Sequence, residues 1–448
     1  MIQAKSYRLG PFIILTFIYF LVGFLTTING QFQGPLKIAF LNDAGEMKNT
    51  FTTLISFFFF LGYLLNSRVA GLWIDSHGYK VTMVRALVFM ITGLIMYGLS
   101  SYIVVHFNDV RIDYVGGSIP WGFIVFLLGS FMMGTSAAIL QVVINPYVSA
   151  YELPGTKPAQ RLNIVTAINS FGTTIAPFFV TMVIFSGVSL DSVTASQLLI
   201  PFLVLALVIL FVTVYATKMK LPDLLSTRTD GKQKQEKSIW SFRHLKLGVI
   251  AIFFYVGTEV SIGSNVNLHA MELINSGHGP SFFGMKQLVI GNMDMGIPAL
   301  LATLYWGGFL VGRFFSTFFK DFNPRKTLIV TTIVSILLIL ISMVTNNLWY
   351  LVAVGLFHSV MWSCIFTLST QGLKEYTSKA SGVFMMGVFG GAVFPVIQGF
   401  LADAFGTWHY TWLVAIICEL VMLVYALYGY KIKDSWCINN INITNINN

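Results

Sequence analysis

The chain has 448 residues, of which 56% are hydrophobic and only 10% charged, and its mean hydropathy is +0.76. Soluble globular chains carry about a quarter charged residues, so this much apolar surface excludes a water-soluble domain and points to a polytopic membrane protein. The net charge of +9 is not a nucleic-acid footprint, because the basic residues fall between apolar runs, where topology signals lie.

The apolar runs are long and unbroken rather than short and alternating, which excludes a β-barrel. Lys5 and Arg8 precede the first run, as in a signal peptide, but no small-residue cleavage site follows. It reads as a first transmembrane helix. Twelve spans are expected, roughly at 10–40, 47–74, 80–105, 120–150, 159–187, 194–218, 244–275, 292–317, 325–345, 348–373, 378–404 and 409–432. Several exceed the ~20 residues needed to cross and should tilt or protrude.

With the N-terminus inside, 23 of the 27 lysines and arginines fall on the cytoplasmic side of these spans. Lys37, Lys48, Arg111 and Lys286 are the exceptions. That asymmetry supports twelve spans with both termini cytoplasmic. The charged interval from Lys218 to Lys246 separates two halves. The expected organisation is a six-helix bundle over 1–218, a cytoplasmic linker over 219–243, a second bundle over 244–434 and a disordered cytoplasmic tail over 435–448. The sequon Asn442-Ile443-Thr444 lies in that tail and is discounted for glycosylation. Cys364, Cys418 and Cys437 have neither paired nor metal-like spacing, so no disulfide framework, metal or cofactor is expected.

The halves repeat each other. Gly62-Tyr63 leads to Arg68 and then Lys80, as Gly307-Gly308 leads to Arg313 and then Arg325. Gly172 to Pro177 in span 5 echoes Gly390-Gly391 to Pro395 in span 11. Parallel six-helix repeats suit a transporter whose halves rock about a central site. After span 2 comes Gly71-Leu72-Trp73-Ile74-Asp75-Ser76-His77-Gly78-Tyr79-Lys80. There Gly71 is expected to allow close helix approach and Asp75 to cap a helix or pair with a base. Arg68, Gly71, Asp75, Gly78, Lys80 and Arg313 are therefore the expected gating residues. The bland alternative is an ordinary charged turn.

This stretch resembles the loop 2–3 signature of the major facilitator superfamily, G-x-x-x-D-x-x-G-x-K/R. Asn145-Pro146-Tyr147-Val148, Arg161-Leu162-Asn163 and Asn169-Ser170-Phe171-Gly172 through Ala176-Pro177 narrow the resemblance to its fucose–galactose–glucose symporter branch. Phe254 to Ser264, Tyr305-Trp306-Gly307-Gly308, Ser359 to Trp362, and Gln398-Gly399-Phe400-Leu401-Ala402-Asp403 carry it into the second half. The resemblance implies an all-α major facilitator fold, with twelve transmembrane helices in two six-helix bundles. It also implies a monosaccharide carrier of the cytoplasmic membrane, working by alternating access with a co-transported proton or sodium ion. A monomer is expected. In the fucose-type pattern an acid follows Leu-Asn in span 1, and another precedes Asn-Pro by four residues in span 4. Here those positions are Gly30 and Gln141, neither of which titrates.

Glu259, mid-span among Gly and Ser in span 7, is the replacement expected to couple the cation. It can exchange a proton or help hold sodium; a structural hydrogen bond is the alternative. Glu419 in span 12 is expected to be structural, because that helix is peripheral in the superfamily. Sugars need bidentate amides and an aromatic face. The candidates are Asn29, Gln33, Gln141, Asn145, Asn169, Asn265, His358, Trp362 and Gln398, with Asn163 and Asn267 behind them. For any single amide the alternative is a helix–helix hydrogen bond. The Phe57–Phe60 run is expected to face lipid.

Two other polar-solute readings stay open: a facilitator, or a carrier or exporter for a different compound. A membrane enzyme would need a nucleophile–base or metal cluster at depth, and no H-E-x-x-H or Cys–His pairing is present. A non-transporting sensor would usually need a soluble output domain, for which the linker is too short.

Overall fold

A computed structural model describes residues 9–151, 153, 158–184, 193–219, 221, 238–290, 293–316, 323–373 and 376–432. Most of the expected linker, the tail, and the side chains of Asp75 and Asn163 lie outside the described residues.

Among the described residues, twelve helical segments are long and apolar enough to cross a membrane. Helices are forced here because a bilayer offers no water to satisfy backbone polar groups. Span 1 is α1 (Leu9–Gln31) followed by α2 (Gln33–Ala39). Spans 2 and 3 form one long α3 (Lys48–His106). The next three are α4 (Trp121–Ala150), α5 (Pro158–Phe179) and α6 (Ser196–Lys218). In the second half come α7 (Arg243–Asn275), α8 (Ile297–Ser316), α9 (Pro324–Thr345) and α10 (Trp349–Thr370). Span 11 is α11 (Thr377–Met386) continuing through a 3-10 turn into α12 (Gly390–Phe405), and span 12 is α13 (Trp412–Val424).

The expected loop between spans 2 and 3 is compressed to a single break inside α3. Gly78 has φ 81° and ψ 169°, a region open essentially to glycine alone. Past the break, the Thr82 hydroxyl bonds back to the Gly78 carbonyl at 2.9 Å. The expected role of Gly71 is not borne out, since a Cβ there would meet nothing within 4 Å. Close approach falls elsewhere. Gly62 and Gly134 bring α3 against α4, where a Cβ on Gly134 would overlap the Phe59 carbonyl. Gly308 and Gly355 do the same for α8 and α10, where a Cβ on Gly355 would overlap the Tyr305 carbonyl. The repeat read in the sequence is thus a repeated packing device.

The two six-helix bundles meet along matching seams. In the first half α1 packs on α5, and α3 on α4 and α6; in the second α7 packs on α10, α12 and α13, and α8 on α10. Across the halves α5 meets α8, α3 meets α11 and α12, and α1 and α2 meet α7. Pro177 lies inside α5 just before a π-turn over Val180–Ile184, and Pro395 lies inside α12 just after the 3-10 turn over Gly387–Phe389. The Phe57–Phe60 run is not a lipid face: Phe59 and Phe60 are buried, and Gly391 of the second half sits against the Phe60 ring.

Two β-hairpins were not anticipated. β1 (Arg111–Tyr114) pairs antiparallel with β2 (Gly117–Pro120), and β3 (Gln287–Ile290) with β4 (Met293–Gly296). They occupy equivalent places, before α4 and before α8. An Arg111–Asp43 ion pair at 3.0 Å and a hydrogen bond from the Tyr114 hydroxyl to the Ala44 carbonyl at 2.5 Å hold the first against the turn entering α3. The Gly116-Gly117 pair was the available turn signal.

Candidate functional site

A band of polar side chains crosses the seam between the halves. In the first half Gln141 of α4 donates to the Tyr63 hydroxyl at 2.9 Å. Asn145, one turn on, hydrogen-bonds the Tyr19 side chain of α1, and Asn169 of α5 donates to the Tyr19 carbonyl at 2.7 Å. Gly23 lets α5 come this close, because a Cβ there would lie 2.5 Å from the Asn169 carbonyl oxygen.

The seam itself is bridged by Arg313 of α8, which hydrogen-bonds the Ser170 hydroxyl of α5 and reaches the Ser359 carbonyl at 3.3 Å. Thr174 of α5 adds a bond to the Trp306 carbonyl at 3.2 Å. The Glu259 carboxyl hydrogen-bonds the Tyr255 hydroxyl and interacts electrostatically with the Arg313 guanidinium and the His358 ring. Glu259 is half-buried, as are Gln141, Asn145, Asn169, Trp306 and Trp362. Trp362 packs against Tyr255, and Trp306 holds a buried indole N–H with no hydrogen-bond partner among the described residues. The band therefore combines amides, two indoles, a carboxyl and a guanidinium at the contact between the two bundles.

The remaining expected ligands sit elsewhere in this conformation. Asn29 accepts from Ser130 at 2.8 Å and from Tyr97, inside the first bundle. Gln33 donates to Ser56 at 2.8 Å. Asn265 donates to Gln398 at 2.8 Å, and Gln398 to the Thr411 carbonyl at 3.1 Å. These four are at most 2% exposed, and their visible role is joining helices. The His358 ring is engaged on both sides, at 2.9 Å from Tyr305 and 2.7 Å from Glu419. Arg68 is exposed and Lys80 half-buried.

Several partners were missed by reading the sequence. Tyr255 lies one turn before Glu259 on α7, a spacing that could have paired them. Tyr19 sat in an apolar run with nothing to set it apart, and Tyr63 stood out only as part of the Gly62-Tyr63 repeat, not as a partner of Gln141. On α7, Thr258, Ser261 and Asn265 share one face, and each keeps a buried side-chain oxygen without a hydrogen-bond partner among the described residues. Among the described residues no cluster of three or more His, Cys, Asp or Glu could hold a metal ion.

Residues 15–391 match the family model described as Major Facilitator Superfamily. The chain is 33% identical over 423 residues to a glucose/galactose transporter of Brucella abortus, covering 93% of each chain. It is 26% identical over 450 residues to the L-fucose-proton symporter of Escherichia coli, covering 95% of this chain and 94% of the other. The crystal structure of the E. coli fucose:proton symporter superposes with a TM-score of 0.62 at 24% identity, covering 95% of this chain and 99% of that one.

Proposed function

The chain belongs to the major facilitator superfamily, and we propose that it carries a monosaccharide of the glucose, galactose or fucose type across the cytoplasmic membrane, driven by a co-transported cation. The observation that carries this reading is the half-buried amide and indole band at the seam. Gln141, Asn145 and Asn169 come from the first half, and Trp306 and Trp362 from the second. A sugar held there would bond its hydroxyls to the amides and lay its C–H face on an indole. Because its ligands come from both bundles, rocking the bundles would expose it to one side and then the other. The similarity to the glucose/galactose transporter supports the substrate class.

Glu259 is the coupling group in this reading. A carboxyl on a membrane helix beside the substrate band can bind a proton on one side and release it on the other. Arg313 is placed to compensate its charge when the proton leaves, while its bond to Ser170 ties that charge to the seam. Sodium is the second reading, favoured by the unpartnered oxygens of Thr258, Ser261 and Asn265 on the same helix. The distribution of basic residues supports both termini in the cytoplasm, with the stretch 219–243 joining the halves there and a monomer as the working unit.

Uptake of labelled glucose, galactose and fucose into proteoliposomes, with pH and sodium gradients imposed separately, tests this. At least one sugar should accumulate under one gradient, and Glu259→Gln should abolish accumulation. Transport of none of the three would overturn the substrate class. Transport indifferent to both gradients would make the protein a facilitator, consistent with Gly30 and Gln141 at the positions of the usual acids.

A further inference from the structure

Deep in the second bundle lies an acid that the sugar route does not use. Glu419 of α13 is fully buried, and its Oε1 is 2.7 Å from Nε2 of His358 on α10, also fully buried. On the other side of the ring, Nδ1 is 2.9 Å from the Tyr305 hydroxyl of α8. That hydroxyl is in turn 3.1 Å from the main-chain carbonyl of Glu259.

These contacts dictate the protons. A carbonyl only accepts, so Tyr305 donates to Glu259. A hydroxyl has one proton, so Nδ1 must be the donor to the Tyr305 oxygen. Nε2 and Oε1 then face each other at 2.7 Å, where two bare lone pairs would repel, so one proton lies between them. Written as a neutral carboxyl with a neutral ring, or as a carboxylate with an imidazolium, the pair has no net charge and holds that one proton. The other arrangement has Tyr305 donating to Nδ1 and a neutral ring donating to a carboxylate. It would forfeit the Glu259 carbonyl bond and, with the route closed, strand a buried anion whose Oε2 has no hydrogen-bond partner among the described residues. An uncompensated buried charge of that kind is strongly disfavoured.

We infer that the Glu419–His358 pair is a second proton-binding site of the transporter, linked to Glu259 through the Tyr305 hydroxyl. This inference rests on the symport reading. Loss of the proton turns the pair from neutral to singly negative: the ring keeps one proton, now on Nε2 where it donates to the Glu419 carboxylate, and Tyr305 turns from the Glu259 carbonyl to donate to Nδ1; the lost proton passes to water when the route opens. The titratable groups that interact with the pair are Tyr255 and Glu259 from α7, Tyr305 from α8 and Cys418 from α13, while Arg313 of α8 acts on Tyr255 and Glu259. Arg325 of α9 points to the far end of the last span, at the Ala426 carbonyl. A negative pair and a negative Glu259 oppose each other, and Arg313 compensates Glu259, so the two sites empty in a coupled way. Tyr255 and Tyr305, which bond the His358 carbonyl and ring, hold this geometry as positioning residues.

The test compares wild type, Glu419→Gln and His358→Gln in proteoliposomes. Three readouts are followed: glucose counterflow without a gradient, accumulation under a pH gradient, and sugar-evoked proton movement reported by a dye. Glu419→Gln should keep counterflow and lose accumulation and proton movement, His358→Gln should lose the same two, and Glu419→Asp should retain all three with a displaced pH profile. Accumulation by Glu419→Gln with the wild-type pH profile overturns the inference. A sugar-free measurement separates its failure from that of the symport reading. On an alkaline pH jump, purified Glu419→Gln should release one proton fewer per chain than wild type. Equal release overturns the second site whatever the wild type transports, and His358→Gln, with its own melting curve, serves if Glu419→Gln does not fold.

Discussion

Gly134 and Gly71 look alike as letters and differ in consequence. A Cβ at Gly134 overlaps the backbone of α3, which cannot swing aside, whereas one at Gly71 enters open space. Gly134→Ala should destabilise the protein by about 1–3 kcal/mol through overpacking. Gly71→Ala should leave it unchanged or slightly more stable, since alanine is the better helix former. Gly78→Ala must strain the break in α3 and should cost roughly 1–3 kcal/mol. Thermal melting of the three variants in detergent orders them directly, and equal curves would refute the packing argument. The amides make the same point. Gln33 and Gln141 are both polar letters in apolar runs, but Gln33 is fully buried against Ser56 while Gln141 stays half-buried at the seam. Helical spacing indicates which residues share a face; only the neighbouring helix decides whether that face meets a side chain or an open route.

α3 begins without a cap of its own. Its preceding residue, Met47, provides no side-chain bond and its first turn holds no acid. The missing carboxylate comes from the other half. Asp403 of α12 accepts from the Asn49 and Thr50 amides at 3.1 and 2.7 Å and from the Thr50 hydroxyl at 2.6 Å. Such a cap is worth about 0.5–2 kcal/mol, and here it also joins the bundles. Asp403→Ala should lower the melting temperature more than Thr50→Ala, which removes one of the three bonds. The reverse order would mean the cap contributes nothing. The acid in Gln398-Gly399-Phe400-Leu401-Ala402-Asp403 was legible as a family feature, but its partner lies over 350 residues away in sequence, and no local pattern connects the two.

For the whole molecule, that cap and the Gln31–Asn267 hydrogen bond close one end of the seam, and Arg313–Ser170 spans it along α5 and α8. Alternating access requires the end closed by Asp403 to part. In a cysteine-free background, Thr50→Cys combined with Asp403→Cys should therefore block uptake once cross-linked and recover it on reduction. Full cross-linking with undiminished uptake would show that this end stays shut throughout transport.

The number, order and approximate ends of the twelve spans, the repeat of the halves and the family were all legible in the amino acids. Hydrophobic runs of membrane length leave the backbone no alternative to helix, and Gly and Pro recur at matching places. What only the tertiary structure decided was partnership: that Arg313 meets Ser170, that Asp403 caps α3, and that Glu419, read as a peripheral structural acid, faces His358 inside the second bundle. The physical reason is that each of these contacts joins helices distant in sequence. Their energetics depend on burial and on the one group opposite, and neither is written in the helix that carries the residue.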